Sequence, residues 1–243
     1  MSKRKIIALV CTVMVSVSAM AQFTELGFRA GVGPAKINDD ILMEKGITGW
    51  NFDVYANLTF HDSESALRDV FYLQTGLSLI RRGGIFEQTF SSMHSLREGY
   101  YHSWYVQVPI LASFKFDMPT IPYLGNELKL HAYLGPAVSV GVFGKARSRR
   151  ISPTYPQTDV NYDSKENVFD VITRLDVNAI VGLGLSWRNF TIDARYDHGF
   201  MVLYDEIDFS DKERKSFSGN NQAFIFSLGY KLPIGEGRTI AIR

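Results

Sequence analysis

The stretch from Asp170 to Phe200 reads DVITRLDVNAIVGLGLSWRNFTIDARYDHGF, and its alternation decides the fold. One parity holds Val171, Thr173, Leu175, Val177, Ala179, Val181, Leu183, Leu185 and Trp187. The other holds Asp170, Ile172, Arg174, Asp176, Asn178, Ile180, Gly182, Gly184 and Ser186. After Arg188-Asn189 the pattern resumes with Phe190, Ile192, Ala194, Tyr196 and Phe200 on the greasy side, His198 being the exception. Thr191, Asp193, Arg195, Asp197 and Gly199 occupy the opposite side. Period two is the signature of a strand, because successive side chains point to opposite faces. The first run exceeds the usual globular strand of about five or six residues. A strand tilted across a bilayer needs about nine to eleven. The hairpin therefore reads as part of a membrane-spanning β-barrel.

Working outward, six more runs alternate in the same way. They are Glu25–Gly33, Trp50–Phe60, Val70–Ile80, Tyr101–Phe116, Leu128–Phe143 and Gln222–Leu232. Pro109 cannot donate to a ladder, so it should mark a bulge or a locally unpaired position. With the hairpin, the count is eight strands: an all-β, antiparallel, up-and-down transmembrane barrel. Loops after strands one, three, five and seven are long and the others shorter, as when one rim holds periplasmic turns and the other extracellular loops. Arg81–Gly99 and Gly144–Asn167 are read as two of the long loops, and Pro34–Thr48 as another.

Composition decides which face meets lipid. In-strand lysines occur only at strand ends, as Lys115, Lys129 and Lys231, whereas a soluble barrel would carry Lys and Glu over its whole outside. Trp50, Trp104, Phe200 and Phe224 fall at one rim, and Phe60, Phe71, Phe116, Trp187 and Tyr230 at the other. Two aromatic girdles around an apolar band form the outer-membrane pattern.

The N-terminus carries Lys3, Arg4 and Lys5, an apolar run from Ile6 to Val17, then Ala19-Met20-Ala21. That order reads as a secretory signal over residues 1–21, cleaved between Ala21 and Gln22, with residues 22–243 forming one barrel domain. The single cysteine, Cys11, would leave with the signal, so the mature chain has no disulfide or thiolate site. Losing three basic residues takes Lys plus Arg from 26 to 23 against 25 acids, a balance without a case for nucleic acid.

The wording of the strands resembles the Bacteroidetes-type outer-membrane β-barrel domain, the group that includes PorT-like and "porin family" proteins. The carrying stretches are Leu26-Gly27-Phe28-Arg29-Ala30-Gly31-Val32 and Ser103-Trp104-Tyr105-Val106-Gln107-Val108-Pro109-Ile110-Leu111. Leu134-Gly135-Pro136, Asp176 with Gly182-Leu183-Gly184, and Arg195-Tyr196-Asp197-His198-Gly199 complete the set. The resemblance implies an outer-membrane protein, accessory to a secretion or envelope complex.

Arg29, Asp53, Arg174, Asp176, Asp193, Arg195 and Asp197 all fall on the expected inner face. They read as an ion-pair network filling a lumen that, at eight strands, is only wide enough for side chains. A charged pore lining is the competing reading. His61, His94, His102, His131 and His198 are scattered without ligand spacing, so neither a metal nor a cofactor is expected. Lys145, Arg147, Arg149 and Arg150 make one loop basic; Asp205, Glu206, Asp208, Asp211 and Glu213 make another acidic. They dock lipopolysaccharide phosphates or an envelope protein, or they solvate the rim and attract each other.

The expectation is a monomeric, non-catalytic barrel surrounded by lipopolysaccharide and phospholipid, with a structural, adhesive or accessory role. A small transport channel is the alternative. An outer-membrane lipid-modifying enzyme and a soluble ligand-binding barrel are the remaining ones.

Overall fold

The computed structural model describes residues 21–38, 43–60, 70–90, 95–119, 127–151, 166–170, 172–201 and 219–234. Eight strands form a ring: β1 (Ala21–Asn38), β2 (Met43–Phe60), β3 (Phe71–Phe90), β4 (Ser95–Asp117), β5 (Leu128–Ile151), β6 (Leu175–Trp187), β7 (Phe190–Gly199) and β8 (Asn220–Pro233). Each pairs antiparallel with its chain neighbour, and β8 closes on β1 through pairs such as Phe28–Tyr230. Closure leaves no open edge where the sheet crosses lipid, and an unpaired backbone group there costs several kcal/mol.

Parity is set as the hydropathy requires. Val181 and Leu183 are 53% and 57% exposed on the outside, while Asp176 and Arg195 are 0% and 2% exposed within. Phe52, Val54, Leu77, Leu134, Ile192, Phe226 and Leu228 continue the outward apolar band. Tight turns join β6 to β7, where Arg188 takes a φ of 53°. Pro109 sits between the Thr75–Ile110 and Ser78–Gln107 pairs of the β3–β4 ladder, which carries no pair between them.

Four sequence boundaries are corrected. The expected loops Pro34–Thr48 and Arg81–Gly99 are largely strand, since β1 runs to Asn38, β2 starts at Met43, and β3 and β4 stay paired to Phe90–Ser95. Likewise β5 runs on to Ile151. The reason is physical: beyond the lipid the outward residues, such as Lys36, meet water while inward ones, such as Ala35 and Ile37, turn apolar, so the greasy parity of the crossing is lost although pairing continues. In the fourth case the strand expected from Asp170 begins at Leu175, preceded by a 3-10 turn over Val168–Asp170. Glu166–Asn167 pairs with Lys145 and Ala146 of β5 beside that turn.

Candidate functional site

The interior is built in layers. At the short-turn end, Glu25 on β1 faces Lys115 on β4 and Lys231 on β8; it pairs with both and accepts from Asn57 Nδ2 at 2.7 Å. Lys115 Nζ also stands 4.1 Å from the Tyr72 ring centre. A polar vestibule of about 760 Å³ opens here, lined by Glu25, Lys115, Asp117, Lys129, Arg188 and Lys231 among others.

Above it lies Arg29, whose Nε is 3.3 Å from Asp53 Oδ2 and whose Nη1 is 3.3 Å from Asp193 Oδ1. Its guanidinium stacks 4.2 Å from the Tyr55 ring and 5.2 Å from Tyr133. Glycine makes room for the second ring: a Cβ on Gly182 would fall 2.3 Å from the Tyr133 ring. His131 Nε2 reaches Asp193 Oδ1 at 2.5 Å. The enclosed space bounded by Arg29, Tyr55, His131 and Thr191 is about 20 Å³, room for a single water.

The next layer is Arg195, which gives Nη1 to Asp53 at 3.2 Å and Nη2 to Asn51 at 2.6 Å. Beside it Arg82, wholly buried, bridges Asp176 at 3.1 Å and Asp197 at 2.9 Å. Asn178 and Asn221 each donate to Asp176 at 3.0 Å, and Gln107 donates to Asp197 at 2.9 Å. Such charge-assisted contacts offset the cost of burying these carboxylates.

The long-loop end is apolar instead. Ala35, Ile37, Ile80, Tyr101, Tyr105, Ala223 and Ile225 line the bore, and Val168, Phe169 and Ile172 fold back into it. Phe169 meets Tyr105 edge-on at 5.8 Å and lies against Gly141, where a Cβ would come within 2.1 Å of the ring. The chain thus stoppers its own barrel.

Six of the seven residues expected inside are there and buried: Arg29, Asp53, Asp193 and Arg195 form one ion-paired group, and Asp176 and Asp197 another through Arg82. Arg174 is the exception. It is exposed, with its guanidinium 5.1 Å from the Phe169 ring, because the inward parity holds only from Leu175 onward. Arg82 was missed, since Arg81-Arg82-Gly83-Gly84 reads as a turn; counting by two from Gly76, Ser78 and Ile80 would have found it. His61, His94 and the acidic residues from Asp205 to Glu213 lie outside the described residues, as does the signal before Ala21. For Arg147, Arg149 and Arg150 only the backbone, within β5, is described. Among the described residues no group of His, Cys, Asp and Glu is gathered as a metal site.

A closed eight-strand ring with an apolar outside and an ion-paired inside defines an outer-membrane β-barrel. The chain belongs to the outer membrane protein beta-barrel domain family, whose model matches residues 20–205. That membership supports an outer-membrane location. Among curated proteins none matches the sequence significantly. Solved structures similar to it include Ail, the attachment invasion locus protein of Yersinia pestis, in complex with the heparin analogue sucrose octasulfate. It is 17% identical, covers 87% of this chain and 100% of its own, and has a TM-score of 0.38. Neisserial surface protein A is 13% identical over 85% of this chain and 97% of its own, with a TM-score of 0.42. The outer membrane enzyme PagL is 13% identical over 86% and 99%, with a TM-score of 0.38.

Proposed function

We propose that this protein is a monomeric, non-conducting and non-catalytic barrel that acts as a structural or accessory component of the envelope and holds a partner above the lipid. The filled interior carries the reading. Three arginines and four aspartates cross the bore as mutual partners, and the Phe169 stopper closes the end above them. Side chains committed to one another in this way neither line a path nor present a free catalytic group.

The partner-holding half of the proposal is supported by strand length. β3, β4 and β5 contain 20, 23 and 24 residues, about twice what a crossing needs. Their outer halves form a sheet beyond the lipid. The β3–β4 ladder stays paired to Phe90–Ser95 and the β4–β5 ladder to Leu96–Ile151, so a paired surface stands clear of the headgroups for a partner to lie against. A PorT-like place in a secretion or envelope complex is the finer form of the proposal and rests on the sequence motifs quoted above. Export with cleavage between Ala21 and Gln22 belongs to it too.

Planar-bilayer recording of the purified full-length protein tests this reading. The expected result is a silent membrane at all voltages after verified insertion. Reproducible conductance steps would overturn it in favour of the channel.

A further inference from the structure

The barrel's charges are distributed unevenly between its two ends. At the short-turn end each described cation has a carboxylate: Lys115 and Lys231 share Glu25, Lys129 pairs with Asp117 at 3.0 Å, and Arg188 pairs with Glu127. On the outer face near the long-loop end the described cations include Lys36, Lys45, Arg81 and Lys145. None has an acidic partner among the residues whose side chains are described. Arg81 is the sharpest case, because the next residue, Arg82, is turned inward and bound by two aspartates.

Its height follows from the strand. Arg81 stands ten positions beyond Phe71, which lies in the aromatic band of the short-turn rim beside Phe114. At ~3.3 Å per residue and a tilt of ~40°, that is a rise of about 25 Å, the height of the apolar band. Arg81 therefore sits at the headgroup level of the outer leaflet. Two tryptophans frame it. Trp104 is its register partner on β4, and Trp50 follows the Asn51–Ile80 pair on the β2 side with its ring outward. Across β4, Trp104 stacks on Phe143 at 5.6 Å, and Lys145 faces His102 two positions higher. Tyr100 Oη holds the His102 ring at 2.7 Å. Two strand spacings and two residues separate Arg81 from Lys145, about 12 Å between backbones. Both long side chains can reach one headgroup.

We propose that Arg81 and Lys145, framed by Trp50, Trp104 and Phe143, seat the phosphates of an anionic glycolipid of the outer leaflet. Guanidinium and ammonium at a water-lipid boundary take phosphate oxygens in charge-assisted bonds, and the aromatic rings occupy the same interfacial depth. The paired carboxylates at the opposite rim make that end indifferent to anionic lipid. This inference rests on the outer-membrane location and not on the silence of the bore, so either can fail without the other.

The test is native mass spectrometry of the full-length protein in detergent, titrated with bisphosphorylated lipid A, dephosphorylated lipid A or phosphatidylglycerol. Wild type should retain the bisphosphorylated form at least tenfold better than the other two. Arg81→Ala with Lys145→Ala should lower that retention at least tenfold, and Arg81→Glu alone should do likewise. Arg188→Ala at the other rim should leave it unchanged. Folding of each variant is checked by heat-modifiable migration, and a variant that fails is replaced by Arg81→Gln. Equal retention of lipid A by the double variant, of the dephosphorylated form, or of phosphatidylglycerol would overturn the proposal.

Discussion

Arg81 and Arg82 are one peptide bond apart and lead opposite lives. Arg82 is wholly buried and forks between Asp176 and Asp197, so Arg82→Ala leaves two carboxylates stranded in the bore. Breaking a buried pair by removing one partner costs about 3–5 kcal/mol. Arg81→Ala removes a surface charge and should stay within about 0.5 kcal/mol. Urea unfolding from lipid vesicles, followed by tryptophan fluorescence, should show the two midpoints far apart; equal midpoints would contradict the interior assignment. Arg82→Lys should not restore the loss, because an ammonium cannot reproduce a fork that spans two carboxylates.

At the scale of elements, the sequence states a strand clearly only where lipid lies on one side and side chains on the other. The hairpin of β6 and β7, from Leu175 to Gly199, was therefore legible almost to the residue. The outer parts of β3, β4 and β5 were not, because from Arg81 to Gly99 neither parity is consistently greasy. The stopper was also hidden. Nothing in Val168-Phe169-Asp170 distinguishes it from a loop, and its seat is an absence of side chain at Gly141 on another strand. That seat gives a prediction. Phe169→Ala should cost about 3 kcal/mol with strand content unchanged by circular dichroism. Gly141→Val should cost a similar amount by expelling the ring. The double variant should cost clearly less than the sum, since both changes break one contact. Additive losses would show that Phe169 does not rest on Gly141.

For the molecule as a whole, the outer-membrane class follows from two opposed surfaces on one sheet. Leu183 points to lipid near the middle of β6, so Leu183→Arg should destabilise the inserted barrel by about 2–4 kcal/mol. Gly182→Arg is no substitute probe, because it would strike the Tyr133 ring inside. Refolding into vesicles at a series of urea concentrations measures the effect; an unchanged midpoint would remove Leu183 from the lipid face. Of the candidate site, six interior charges could be placed from parity alone; Arg82 keeps the inward parity of β3 but hides in a sequence that reads as a turn, and Arg174 precedes β6, where that parity does not yet hold.

The oily stopper and the polar vestibule lie at opposite ends of the same bore. If the bore is as silent as proposed, the barrel is a blind cup, and the buried charges of its middle communicate with solvent through the vestibule alone. The rim lined by Glu25, Lys115 and Lys231 is then the side from which a small ion would have to enter.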